Sequence, residues 1–189
     1  MVEKMSEMMR GEYEVFKILR DCCIEGLKVF GISEGLDVRR FAQANFNHGD
    51  KLVLLNFIHT TRVGWQSAKY PNASDEYGSQ KYRQDEWIEE QTYQISTIKR
   101  MLKTDGTSTL SAEDMATCLI SWFNGRGIEW LRERGLSNYL IDPNSIMVYN
   151  DDSDLYQRRP VFELTIIVNK AFKLEQEDLD ILGVKTFPI

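Results

Sequence analysis

The chain has 189 residues, of which 42% are hydrophobic and 28% charged, with a formal net charge of −6 and three cysteines. That length suggests a single domain over residues 1–189, long enough to bury a core without disulfides or metals. The acidic balance, with no block of Lys or Arg, argues against nonspecific nucleic-acid binding; Cys22, Cys23 and Cys118 lack a framework spacing and fit a reducing compartment; and no apolar run reaches the ~18–20 residues of a membrane span.

Residues 6–30 read as a long amphipathic helix. Met9, Tyr13, Phe16, Leu19, Cys23, Leu27 and Phe30 recur at helical spacing on one face, and Glu7, Glu12, Glu14, Lys17 and Asp21 fall elsewhere. Gly31 supplies a stop. The stripe is most simply core, with a partner-binding face as the second reading. Residues 32–50 are polar and irregular. Strand character starts at Lys51: Val53, Leu55 and Phe57 share one face, and Leu52, Leu54 and Ile58 the other, so this strand is expected to be covered on both sides. It continues through Thr60, Thr61, Arg62, Val63 and Trp65, with Gly64 at a candidate bulge.

Residues 70–80 have a turn composition, with Pro71, Asn72, Ser74, Asp75 and Gly78. Residues 85–101 read as the return strand. Trp87, Tyr93 and Ile95 lie on one side; Glu90, Thr92, Gln94 and Ser96 lie on the other. The two strands form a long β-hairpin arm over about residues 51–101. Its outer half carries Trp65, Tyr70, Tyr77, Tyr82 and Trp87. Exposed aromatics on such an arm call for a neighbour that covers them; the alternative lays them on the hairpin's own body.

Ser111 caps a second helix, with Asp114 three residues on in a capping-box arrangement. Ala112, Met115, Leu119 and Trp122 give its buried face. Residues 124–127 interrupt the helix, residues 128–134 resume it, and Gly135 is its C-cap. Residues 145–149 read as a third strand and residues 150–156 as an acidic turn. Residues 158–168 read as a fourth strand, with Phe162, Leu164, Ile166 and Val168 facing one way and Glu163 and Thr165 the other. A C-terminal extension, residues 172–189, offers an edge strand through Ile181, Val184 and Phe187. The order points to an α+β fold: a mainly antiparallel sheet with a long β-hairpin arm and two principal helices packed on one face.

No motif for catalysis or cofactor binding stands out. His48 and His59 lack metal-ligand spacing, and Cys22 and Cys23 form no Cys-x-x-Cys; core packing is the better reading for both cysteines. Asp151, Asp152 and Asp154 lack the Gly and distal Glu of a calcium loop, and Gly125 and Gly127 lack the preceding strand of a phosphate loop. No catalytic residue, metal ligand or cofactor is assigned, although Glu89, Glu90 and Glu163 are carboxylates of the type that acid–base chemistry uses. Arg158 and Arg159 adjoin the acidic turn and either pair with its acids, meet a neighbouring subunit or stay solvated.

Three segments in order carry a resemblance. The first is residues 53–70, a strand leading into Arg62-Val63-Gly64-Trp65-Gln66-Ser67 and Tyr70. The second is residues 85–96, ending Thr92-Tyr93-Gln94-Ile95-Ser96. The third runs from Gly127-Ile128-Glu129-Trp130-Leu131-Arg132-Glu133-Arg134-Gly135-Leu136 through the acidic turn to Tyr156-Gln157-Arg158-Arg159-Pro160-Val161-Phe162-Glu163-Leu164-Thr165. Together, over about residues 41–168, they resemble the neck and tail terminator proteins of tailed bacteriophages. The resemblance implies a non-enzymatic virion protein, made in the host cytoplasm and placed in the neck, at the head–tail junction. It implies a homo-oligomeric ring, a hexamer, that caps the tail tube protein and docks to the connector or head-closure protein, while genomic DNA passes through without sequence-specific binding. The family has no catalytic or cofactor residues to transfer. The arm aromatics Trp65, Tyr70, Tyr77, Tyr82 and Trp87, with Arg158 and Arg159, are the partner-binding candidates. A head-closure or tail-completion subunit is the alternative, and a small α+β enzyme or ligand-binding domain the remaining one.

Overall fold

The computed structural model describes residues 11–41, 50–69, 82–99, 110–149 and 159–175, and for residues 65–69, 82–86, 149 and 171–175 the backbone alone. The elements in chain order are α1 (Glu12–Val29), β1 (Leu36–Arg40), β2 (Lys51–Lys69), β3 (Tyr82–Lys99), α2 (Ala112–Phe123), α3 (Arg126–Arg132), β4 (Leu136–Asn138), β5 (Met147–Tyr149) and β6 (Arg159–Glu175). A 3₁₀ turn at Pro143–Ser145 precedes β5.

One six-stranded sheet organises them in the order β1-β2-β3-β6-β4, with β5 also paired to β6. All pairings are antiparallel except β1 with β2, which is parallel. The α+β class with helices on one sheet face is thus what the alternating pattern indicated. Apolar residues at period two place Val53, Leu55, Tyr93, Ile95, Phe162, Leu164, Ile166 and Val168 on the helix-bearing face, all essentially inaccessible to solvent. Cross-strand register pairs Leu55 with Ile95 and Ile95 with Phe162, so the rows stack directly across three strands. Val15, Leu19, Cys22, Cys23 and Leu27 of α1, with Met115, Leu119, Ile120 and Phe123 of α2, complete one continuous core.

Trp122 ties the three helices together. Its Nε1 donates to Cys22 Sγ at 3.3 Å. A Cβ on Gly26 of α1 would sit 2.6 Å from its ring, and one on Gly127 of α3 would sit 2.6 Å from its carbonyl oxygen. The Asn-Gly-Arg-Gly break is therefore a packing device: only a residue without a side chain lets α3 begin this close to the end of α2. At the start of α2, Ser111 Oγ accepts from the Asp114 backbone and the Asp114 carboxylate accepts from the Ser111 backbone, the capping box read from the sequence. The hydrogen bonds from Ser111 hold the Asp114 carboxyl below the usual carboxylate range.

Several boundaries differ from the expectations. The described part of α1 begins at Glu12, after Gly11; residues 6–10 of the expected helix lie outside the described residues. Tyr13 and Phe30, expected on its core stripe, are exposed, and Val15 and Cys22 take their place. Residues 32–50 are not wholly irregular, because β1 lies there. A single buried residue, Val38, in five made that strand invisible to a periodicity argument. Strand β4, three residues long, was missed for the same reason. The short helix is Arg126–Arg132 rather than residues 128–134, and the strand expected at residues 145–149 is shortened at its start by the 3₁₀ turn. Ile58, expected to be covered along with Leu52 and Leu54, is exposed, at a register break between Phe57 and His59. The edge strand expected through Ile181, Val184 and Phe187 lies outside the described residues, as do the turns at residues 70–80 and 150–156.

Candidate assembly surface

The β2–β3 pair is the long hairpin expected, in register from Lys51 with Lys99 out to Lys69 with Gln84. At about 3.3 Å per residue, strands of this length reach about 60 Å. Gly64, at φ 79°, marks the second register shift, between Val63 and Ser67, as its placement in the sequence suggested. The arm is not a two-stranded hairpin, however. β6 runs on past Val168 to Glu175 and pairs with β3 out to Tyr82. The strand was expected to end at Val168 because alternation fades into Asn169-Lys170-Ala171; register with β3 carries it further.

Where the sheet leaves the helices, its helix-side surface changes from aliphatic to polar. Arg62 stacks over the Trp87 ring at 4.7 Å, the Trp87 Nε1 donates to Glu89 Oε1 at 2.8 Å, and Lys170 Nζ lies 3.7 Å from Glu89 Oε2. Lys170 and Glu89 are both substantially buried. Further in, the Tyr93 hydroxyl donates to Gln91 Oε1, and burial pushes its pKa up. On the opposite surface of the same strands Ile58, Val63 and Ile88 are exposed, and the Tyr139 hydroxyl donates to Glu90, which raises the Tyr139 pKa.

The sequence-derived candidates separate on this geometry. Trp87 is half-buried on its own chain, held by Arg62 and Glu89. Trp65 and Tyr82 lie in β2 and β3, with only their backbones described; Tyr70, Tyr77 and Arg158 lie outside the described residues. Arg159 opens β6. Its guanidinium lies 5.0 Å from the Phe41 ring centre and its Nη2 donates to Ser96 Oγ at 3.3 Å. The structure brings together Trp87 with Arg62, Glu89 and Lys170, and Arg159 with Phe41 and Ser96; the first partners were not anticipated, because a stacking cation one strand away leaves no local signature.

No three His, Cys, Asp or Glu residues converge as metal ligands among the described residues, and none of the described helices is long and apolar enough to cross a membrane. Cys22 and Cys23 are fully buried; burial pushes the Cys22 thiol up to about 12 and Cys23 well above its ordinary value, so both are neutral at physiological pH. What remains exposed and chemically distinctive is a surface for packing: aliphatics on one side of an extended sheet, a cation on an aromatic at its base.

These features define an α+β protein with an extended, partly uncovered sheet. The model of the E217 gateway protein gp29 family matches residues 14–177, and the chain belongs to that family. It is a bacteriophage head–tail family of structural proteins. Among curated proteins none gives a significant match.

Proposed function

We propose that this chain is the repeating subunit of a ring in the phage neck, a hexamer that terminates the tail tube and joins it to the connector. The gateway-family match over most of the chain is the observation that carries this reading. A ring requires a heterologous contact, in which two different patches of one subunit meet and the rotation closes. The extended three-stranded arm with exposed Ile58, Val63 and Ile88 is suited to one such patch, and the β4–β5 flank, with exposed Tyr139, Leu140 and Met147, to the other. Trp65, Tyr70, Tyr77, Tyr82 and Trp87 are proposed to contact a neighbour or the tube at the arm. The acidic net charge suits a channel through which DNA slides, since like charge disfavours sticking. The same family match also supports a head-closure or tail-completion role, which differs in position along the neck.

Labelling this protein in intact virions and imaging them separates the two. Label at the tube's head-proximal end fits the terminator ring. Label directly against the portal side of the connector favours head closure, and label away from the neck refutes both.

A further inference from the structure

Among the described residues, Arg159 has no anionic counterpart. Its contacts are the Ser96 hydroxyl and the Phe41 ring; among the described residues no carboxylate lies within ion-pair distance, and its Nε is shut off from solvent with no hydrogen-bond partner. A guanidinium has five donors in a fixed fork and keeps its charge at every accessible pH, so burying one without an acceptor is costly. Arg39 and Arg40 of the neighbouring β1 differ, pairing with Asp37 and Glu12, and Arg62 of β2 is exposed and stacks on Trp87.

The surroundings are not those of a solvated arginine. Phe41, 43% exposed, lies under the guanidinium. Met147, 46% exposed, stands opposite Val161, two residues along the strand from Arg159. A partly buried arginine with an accessible aromatic beneath it, on a sheet edge that also carries an accessible thioether, has the composition of an interface anchor. A partner that supplies a carboxylate there would fill the open donors and cover both apolar groups.

We infer that Arg159 is a docking anchor for a carboxylate on a second copy of this chain. The occupant follows from charge: the chain carries 29 acidic against 23 basic side chains, so each copy has carboxylates in excess of its own cations, and Arg159 is a cation lacking one among the described residues. The choice of a second copy rests on the ring reading above; the unsatisfied guanidinium does not.

Two experiments on the full chain test this. In the first, copies carrying Arg159→Lys and grown in heavy nitrogen are mixed with unlabelled copies and treated with a carbodiimide. The reagent joins the position-159 amine to a carboxylate within contact, forming an amide while the reagent takes up the water lost. Mass spectrometry should find amides between heavy and light chains at position 159. Links confined to one isotope overturn the inference. In the second, sedimentation of wild type and Arg159→Met is compared over a concentration series, with circular dichroism as the check on folding. The expected result is a folded variant that needs about tenfold or more higher concentration to assemble. Unchanged assembly overturns the anchor while leaving the ring intact. A wild-type chain that never assembles refutes the ring and the second-copy occupant together. If Arg159→Met does not fold, Arg159→Gln serves in its place and the cross-linking result decides.

Discussion

The inner and outer halves of the sheet are made of the same strands and follow different rules. Inside, Leu55, Ile95, Phe162 and Leu164 form unbroken aliphatic and aromatic rows under α1 and α2. Outside, the equivalent positions become Arg62, Trp87, Glu89 and Lys170, held by stacking and one substantially buried ion pair, while Ile58, Val63 and Ile88 face out on the other side. The inner half satisfies itself within one chain. The outer half keeps its strands in register but leaves apolar area for something else to cover. Such a division suits a subunit whose body folds first and whose arm is completed on assembly.

The largest expected effect falls on the inner half. Trp122→Ala removes the side chain that α1 and α3 close upon, and should cost about 3–5 kcal/mol in denaturant unfolding. A loss below 1 kcal/mol would mean the helices are not organised around it. Second comes the junction. Lys170→Ala leaves Glu89 buried without its cation and should cost about 2 kcal/mol, much of it recovered in the double variant with Glu89→Gln. Hydrogen exchange should then quicken at residues 86–91 and leave residues 161–166 protected; uniform quickening would erase the distinction between the halves.

A smaller effect is expected at the capping box. Asp114→Asn should cost about 1 kcal/mol at neutral pH. The sign with pH follows from the lowered carboxyl: the folded state binds that proton less tightly than the unfolded one, so the contribution is present above the ordinary carboxylate pKa and fades as pH falls through the folded value. The variant's acid limb should therefore be shallower than wild type. Cys22 acts with the opposite sense. Its thiol is raised to about 12, so stability is lost as pH climbs above about 9, the ordinary thiol value, and Cys22→Ser should flatten that alkaline loss. The smallest effect on folding is on the arm's open side. Val63→Thr with Ile88→Thr should change unfolding by under about 0.5 kcal/mol each, yet weaken assembly in sedimentation. An equal loss in both measurements would place these residues in the chain's own core.

Legibility in the sequence followed the same division. The inner rows were readable because strict alternation in residues 53–57 and 162–168 admits one strand reading, and Ser111 with Asp114 is a local cap. The failures lie where tertiary pairing decides. β1 buries Val38 alone, β4 has three residues, and the outer part of β6 has lost its alternation, so each exists because a neighbouring strand is in register with it. For the candidate surface, the sequence indicated an aromatic arm and Arg159. It could not indicate that Arg62 stacks on Trp87, or that Phe41 lies under Arg159 from the far edge of the sheet. Contacts made across strands rather than along the chain leave no trace in spacing.

The most direct test of the account is electron cryomicroscopy of the purified chain mixed with its tail tube. The expected result is a closed ring of identical copies seated on the tube end, with the arms of adjacent copies in contact and an axial opening that admits duplex DNA. Single copies scattered along the tube, or an open-ended string of them, would contradict it.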